Sequence, residues 1–434
     1  MLDVFAGVVV VATFHFIIRG TEVRLALLAG GAALALASLK PAAWFASFAS
    51  SMSQASLLTV ILPAIGFTTV VKMARCDQHL VRLVVGPLLS LRAVIVPAGM
   101  LATLLLSTAI TSAAGITAAV GVVLVPAMIA LGIHPAMAAA AVIGGTWGAA
   151  FSPGSPHPAL IGSIADKDVI EIILAHLKAS IPAALTFALV IYLVARFRAE
   201  DRGWTAERAG ATPETGAPAA AQGDEPVSYA RALMPMLPLA LLVLTVPNLG
   251  LTTALLPKGL TVLEAMVIGT IVTAALARLS PSKVVKGFFD GMGEAYAGVI
   301  GIIIAAGVFI GGLNAIGSIE RMIAILQHTQ SAAPIVAMVG TFAIAVLSGS
   351  GDAAALAFNK AVLPHAESLG MTKIDLGNIT WLAGGLGRSM SPVAAATAIA
   401  AGYAGVGVLD VVKRTAVPAI LAAAVVVVIL GFVG

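Results

Sequence analysis

The sequence predicts an all-α polytopic membrane protein, and three observations carry that prediction. Of its 434 residues, 60% are hydrophobic and only 10% are charged, far from the roughly 25% charge of a soluble domain. Apolar segments of helical length recur along nearly the whole chain. Landmark Ser, Gly and Pro residues of the first half return in the second at an almost fixed spacing. At about 20 apolar residues per crossing, this composition suffices for at most ~13 spans. It excludes a soluble enzyme, a nucleic-acid binder and a single-pass receptor with a large soluble domain. The net charge of +4 calls for no acidic partner, and the lone Cys76 excludes a disulfide framework or a cysteine-built zinc site.

Taken in order, the first apolar segment, 4–18, follows Asp3 rather than a basic stretch. No small-residue cleavage site separates it from the next segment, so it reads as a retained helix. Further spans are expected at about 24–39, 55–71, 92–111, 116–131, 135–151 and 179–197. Residues 198–228 then break the pattern with Ala, Pro, Gly and charge, the composition of a flexible linker. Apolar segments resume at about 229–247, 259–279, 292–316, 332–347, 353–369, 376–387, 393–402 and 415–433.

The chain therefore reads as a repeat over 1–197, a linker over 198–228 and a second repeat over 229–434. Ser112 and Ser348 lie 236 residues apart, Pro126 and Pro364 238, Gly144 and Gly384 240, Pro153 and Pro392 239, and Pro182 and Pro418 236. Five ordered pairs at one offset are not a chance product of 44 Gly and 22 Pro. Each half parses as three spans, a helical hairpin, a broken helix and a final span. The hairpin tips are SAAG (112–115) and SGSGD (348–352), and the breaks are SPGSPHP (152–158) and RSMSP (388–392). If the hairpins are re-entrant, each half crosses five times, and an odd number inverts the second half relative to the first. On that topology sixteen of the 24 basic residues fall on one side. Six, Lys40, Lys167, Lys178, Lys258, Arg321 and Lys373, fall on the other. Basic residues concentrate in cytoplasmic loops, which places the linker in the cytoplasm and both termini outside.

Polar clusters at membrane depth are tolerated only where they are buried or line a wet cavity. Paired interruptions in two halves point to a midplane site for a transported solute. In the second tip, Ser348, Gly349, Ser350 and Gly351 offer hydroxyls and free backbone N–H groups, while Asp352 adds a carboxylate. Asp352 and Ser350 can simply cap the following helix; Asp352 can also hold a coupling cation or proton. Arg388 is the candidate carboxylate clamp, because guanidinium meets a carboxylate in planar bidentate geometry. The alternative is an internal ion pair with Asp352. Ser389 and Ser391 flank it in the break. The first half is more neutral, with Ser112 and Gly115 at the tip, Thr146 before the break, and Ser152, Ser155 and His157 within it. His157 is a proton-sensitive candidate or a loop histidine at the membrane surface. Asn359, Asn378 and Thr380 can line the cavity or join helices, and Lys360 can snorkel or pair. The full expected set is Arg388, Ser348–Gly351, Ser112, Gly115, Thr146, Ser389, Ser391 and Asn359 for an anionic substrate, with Asp352, Ser152, Ser155 and Asn378 for a cation. No metalloprotease, nucleophile-elbow or phosphate-loop motif is present.

The strings at 290–323, 346–370 and 384–420, with TSAAGITAAVGVVLVPAMIALGI at 111–133, resemble the anaerobic C4-dicarboxylate carrier family of type C, within the ion-transporter superfamily. SPGSPHP departs from the pattern by lacking an acidic residue shortly after its proline. The resemblance implies secondary transport of succinate, fumarate or malate across the bacterial inner membrane, coupled to Na⁺ or H⁺. It implies no other cofactor and no enzymatic activity. It also implies a homodimeric elevator, with scaffold helices at about 4–75 and 229–317 and transport elements at about 92–197 and 332–434. Other readings on the same fold are transport of another organic anion or an amino acid. A passive channel and a membrane-embedded enzyme stand further off.

Overall fold

The structure is a computed structural model that describes residues 2–19, 21–88, 90, 92–198, 226–245, 259–318 and 332–433. Most of the expected linker, 199–225, lies outside the described residues. The described chain is helical, with no strand among its elements.

In the first half the elements are α1 (Leu2–Ile18), α2 (Val23–Ala37), α3 (Ala42–Met52), α4 (Ala55–Met73), α5 (Cys76–Leu88), α6 (Ile95–Ser107), α7 (Ala113–Ala130), α8 (Pro135–Gly145), α9 (Pro156–Ala165) and α10 (Val169–Arg198). The second half contributes α11 (Tyr229–Leu233), α12 (Leu237–Leu244), α13 (Val262–Leu276), α14 (Pro281–Ala295), α15 (Gly301–Ile316), α16 (Ala333–Ser348), α17 (Gly351–Val362), α18 (Lys373–Arg388), α19 (Ala395–Ala404) and α20 (Val408–Val428). Their boundaries follow local chemistry. Thr261 and Glu264 form a capping box at α13, and Pro135, Pro156 and Pro281 occupy first-turn positions where no N–H is needed.

Several boundaries differ from those expected. The amphipathic helices α3 and α5 were not among the apolar segments, because hydropathy alone does not register a helix with one polar face. The segment expected at 292–316 is the C-terminal part of a continuous 36-residue helix, Pro281–Ile316. A π-helical turn over Tyr296–Ile300 joins its two parts. Arg24 Nη1 donates to the Ala297 carbonyl in that turn (2.6 Å). The final span of the first half is a single 30-residue helix from Val169, longer than the expected 179–197.

Positive-φ positions recur at a similar spacing in the two halves. Residues with positive φ recur in pairs: Leu39 with Arg278 at a spacing of 239, Gly132 with Gly370 at 238, and Asp166 with Gly405 at 239. Loop conformations that L-residues seldom adopt thus return at the offset of the proline and glycine landmarks. Packing follows the same exchange of halves. Helix α7 lies on α19 as α17 lies on α9, α8 packs on α20 as α18 packs on α10, and α10 and α20 pack on each other.

The apolar packing divides into one large core and smaller ones. The large core joins α6–α10 to α16–α20, with Met100, Leu124, Ile143, Phe187, Ile379 and Leu386 fully buried. Smaller clusters join α1 and α2 to α15, α4 to α9 and α15, and α4 to α12 and α13. Among the described residues, five helices are long and apolar enough to cross a membrane: 55–73, 113–130, 169–198, 281–316 and 408–433. Large apolar side chains such as Ile181, Leu185 and Leu189 on α10 face outward, as lipid contact requires.

Candidate functional site

Two helix ends in each half converge on a cavity of about 430 Å³. The hairpin tips contribute Ser112–Ala114 and Gly349–Asp352, the breaks contribute Trp147, Gly154–Pro156, Arg388 and Ala394–Ala396, and α4 with the long helix close it with Thr68, Lys72, Glu294 and Val299. All four sequence interruptions therefore meet at one place.

The tips hold their shape by capping. Ser112 Oγ accepts from Gly115 N–H (3.2 Å) and Ser350 Oγ from Ala353 N–H (3.1 Å), satisfying donors that the helix leaves free. At the second tip, Ser348 Oγ also accepts from Ser350 N–H (3.3 Å). A Cβ at Gly351 would stand 2.3 Å from the Gly384 carbonyl, so only glycine lets α17 approach α18 here.

Asp352 sits in the first turn of α17 and does not cap it. Its Oδ1 meets His157 Nε2 at 3.0 Å, with Arg388 Nη1 farther off at 3.9 Å. The Asp352 side chain keeps 53% of its exposure. Arg388 is 8% exposed and is held from behind by the Thr146 carbonyl, which accepts from Nη2 (3.2 Å). Its buried Nε has no partner. The structure thus places Arg388 and Asp352 within ion-pair range without a hydrogen bond between them.

An aromatic stack fixes His157. Its ring lies on Trp381 (centroids 5.5 Å apart, 23° between planes), and His176 meets Trp381 edge-on at 5.0 Å. His176 faces the Ala150 carbonyl through Nε2 (3.0 Å) and the Ser180 hydroxyl through Nδ1 (2.9 Å). A carbonyl can only accept, so Nε2 carries hydrogen and the hydroxyl serves Nδ1.

Of the expected substrate residues, Arg388, Gly349, Ser350, Gly351 and Ser112 line the cavity, as do Asp352 and Ser155 of the expected cation residues. The others have different surroundings. Ser348 braces the tip. Gly115 is consumed by the Ser112 cap. The Thr146 hydroxyl donates to Ile143 O (2.9 Å), and only its carbonyl takes part, through Arg388. Ser389 Oγ donates to Gly385 O (3.1 Å), and Ser391 Oγ accepts from Val393 N–H (3.3 Å). Asn359 and Asn378 do not line the cavity. Asn359 joins α17 to α18 through Gly377 O and Thr380, and Asn378 reaches Ile172 O on α10 (3.3 Å). Both are deep between helices, where an amide is retained by bonding across the interface. Ser152 lines a small neighbouring void that shares Thr68, Thr111 and Gly154 with the main cavity.

His157 is no surface loop residue: it lies in the first turn of α9 and is 1% exposed. Its position inside a proline-rich break was the available signal, but the reach to Asp352, 195 positions away, is tertiary and has no local trace. Lys360 neither snorkels nor meets a carboxylate. Its ammonium donates to Ser51 Oγ (2.8 Å) and Ile303 O (3.2 Å) across to α3 and α15.

A helical, largely apolar chain whose irregular helix tips and breaks close around a cavity fits the transporters. The chain belongs to the C4-dicarboxylate anaerobic carrier family, DcuC, which matches residues 33–433. It is 37% identical over 271 residues to an uncharacterized transporter of Haemophilus influenzae, covering 62% of this chain and 96% of the relative. It is 28% identical over 334 residues to the anaerobic C4-dicarboxylate transporter DcuC of Escherichia coli K12, covering 75% of this chain and 69% of that one. Among solved structures, the Neisseria gonorrhoeae MtrF efflux pump aligns with a TM-score of 0.55 at 15% identity, covering 88% of this chain and 82% of MtrF. The Alcanivorax borkumensis YdaH transporter aligns at 0.51 and 17%, covering 89% and 87%. These two share the fold. The protein is an integral membrane transporter and not an enzyme.

Proposed function

We propose that the chain is a secondary active transporter of C4-dicarboxylates such as succinate, fumarate and malate, working in the bacterial inner membrane. The observation that carries this reading is Arg388. It is a buried guanidinium at a cavity wall, held from behind by the Thr146 carbonyl, and it shares that wall with the two capped tips. A guanidinium at the wall of a concave site favours an anionic ligand, which it meets with charge-assisted hydrogen bonds. The 430 Å³ space falls within the range for small-ligand sites. The relatives' dicarboxylate activity supports the four-carbon substrate. Asp352, with Ser155 nearby on the lining, takes the coupling cation, Na⁺ or H⁺.

The mechanism is alternating access of elevator type. The large core (α6–α10 and α16–α20) is the transport body, and the frame of α1–α4 and α12–α15 is the scaffold, in two inverted repeats. One short hairpin arm supports re-entry: α6, with 13 residues, spans about 20 Å against a hydrocarbon core of about 30 Å, although its partner α7 is long enough to cross. The linker then lies in the cytoplasm and the termini in the periplasm, and the working unit is a homodimer. Uptake of labelled succinate into proteoliposomes tests the reading, with wild type and Arg388→Ala side by side. Saturable, gradient-driven uptake that the variant loses is the expected result. Uptake of gluconate or an amino acid in preference to succinate, or flux without saturation, overturns it.

A further inference from the structure

We propose that His157 is a positioning residue that keeps the Arg388 guanidinium open to a ligand by holding the Asp352 carboxylate on itself. The inference rests on reading Arg388 as the anion clamp and adds the device that prevents this chain's own carboxylate from filling it. Two nitrogen groups address the same atom, Asp352 Oδ1: His157 Nε2 at 3.0 Å and Arg388 Nη1 at 3.9 Å. Only the first is a hydrogen bond.

The three groups differ in freedom. Arg388 is pinned by the Thr146 carbonyl and is nearly buried. The backbone beside Asp352 is fixed, because Gly351 presses on Gly384. The Asp352 side chain has open cavity in front of it. If the imidazole is removed, the group that moves is the carboxylate, and the Arg388 guanidinium already stands 3.9 Å from it. A guanidinium and a carboxylate so close settle into direct charge-assisted hydrogen bonds, and the clamp is then occupied from within. His157 is equipped to resist this. It stacks flat on Trp381, Trp381 is braced by His176, and His176 is fixed by Ala150 and Ser180. Its Nδ1 has no partner, so no competing bond draws the ring away from Asp352.

The test is equilibrium binding of succinate to the purified full-length chain, across a cycle of variants. His157→Leu keeps an apolar group on Trp381 but loses the donor, and binding is expected to weaken by about tenfold or more, 1.4 kcal/mol per tenfold. His157→Gln retains an N–H donor and restores most of the affinity. In the Asp352→Asn background, where no carboxylate can pair with Arg388, His157→Leu has little further effect. An equal loss from His157→Leu in both backgrounds marks a merely structural role and overturns the proposal. The structure of the His157→Leu variant gives a second readout without substrate. The Asp352–Arg388 separation closes to about 2.8 Å if the proposal holds, and a separation unchanged from 3.9 Å refutes it. Arg388→Ala is the control that separates the two readings. Succinate binding indifferent to Arg388→Ala removes the clamp, whereas loss of binding there with no effect of His157→Leu removes only the inference.

Discussion

The two hairpin tips share one capping geometry and differ in charge. Ser112 and Ser350 each hold the N–H three residues on, at 3.2 and 3.1 Å. The second tip is followed at once by Asp352 and faces Arg388, while the first carries no ionisable side chain. The breaks differ in the same sense. The second supplies the guanidinium, and the first supplies what controls it: the Thr146 carbonyl behind Arg388 and His157 beside Asp352. The tips are alike in capping, while the Arg388–Asp352 pair has no counterpart in the first tip and break. Each half alone would be incomplete, since Arg388 and Asp352 of one make their contacts with Thr146 and His157 of the other.

The sharpest way to break this asymmetry is Arg388→Ala. On the proposed function it removes the strongest anion partner from a buried site, a change that costs about 2–5 kcal/mol in comparable charged contacts. Succinate affinity should fall by ~30-fold or more. Removing a first-half hydroxyl with Ser155→Ala should change affinity by less than about tenfold, as expected of one neutral hydrogen bond. Equal losses from the two substitutions would show that the halves share the load. Asp352→Asn is next in size. It should leave succinate exchange measurable and lower cation-driven accumulation at least about tenfold, read as uptake with and without an imposed gradient. Full gradient dependence in that variant would move coupling elsewhere.

Much of this organisation was legible in the sequence because it is periodic or punctuated. Apolar runs marked the membrane helices, and Ser112, Ser348, Pro153 and Pro392 marked the tips and breaks at a fixed offset. What escaped was tertiary or amphipathic. Helix α3 carries AAWFASFASSM, at 11 residues too short to read as a span, yet its Ser51 receives Lys360. The partition of Asn359 and Asn378 into helix junctions, and of Ser155 into the cavity lining, depends on where faces point after packing. His157 was the hardest to place. Nothing in its neighbourhood of prolines signals an aspartate 195 positions away.

Glycines give a structural form of the comparison. At Gly351 a Cβ would stand 2.3 Å from a backbone carbonyl of α18, whereas at Gly115 its nearest neighbours are the Ser112 side-chain atoms at 3.2–3.3 Å. Gly351→Ala should lower stability by about 1–3 kcal/mol, the usual cost of overfilling a packed site. Gly115→Ala should be near neutral, since alanine is favoured over glycine inside a helix by about 1 kcal/mol and the contact is slight. Thermal unfolding in detergent separates them, and a greater loss at Gly115 would mean that the first tip is the tighter one.

The smallest expected effects are the most discriminating, because the cap residues match so closely. Ser112→Ala and Ser350→Ala each remove one hydroxyl that accepts a helix N–H, which elsewhere costs about 1 kcal/mol. If capping is all that these hydroxyls do, the two variants should lose thermal stability equally and bind succinate equally. Both hydroxyl-bearing residues line the cavity, but only Ser350 stands two positions from Asp352 and on the tip that faces Arg388. An anion drawn to that guanidinium meets the second tip first. The expected pattern is therefore equal stability losses with unequal affinities, Ser350→Ala weakening succinate binding several-fold more than Ser112→Ala. Unequal stability would attribute the asymmetry to folding, and equal affinity would place the ligand midway between the tips.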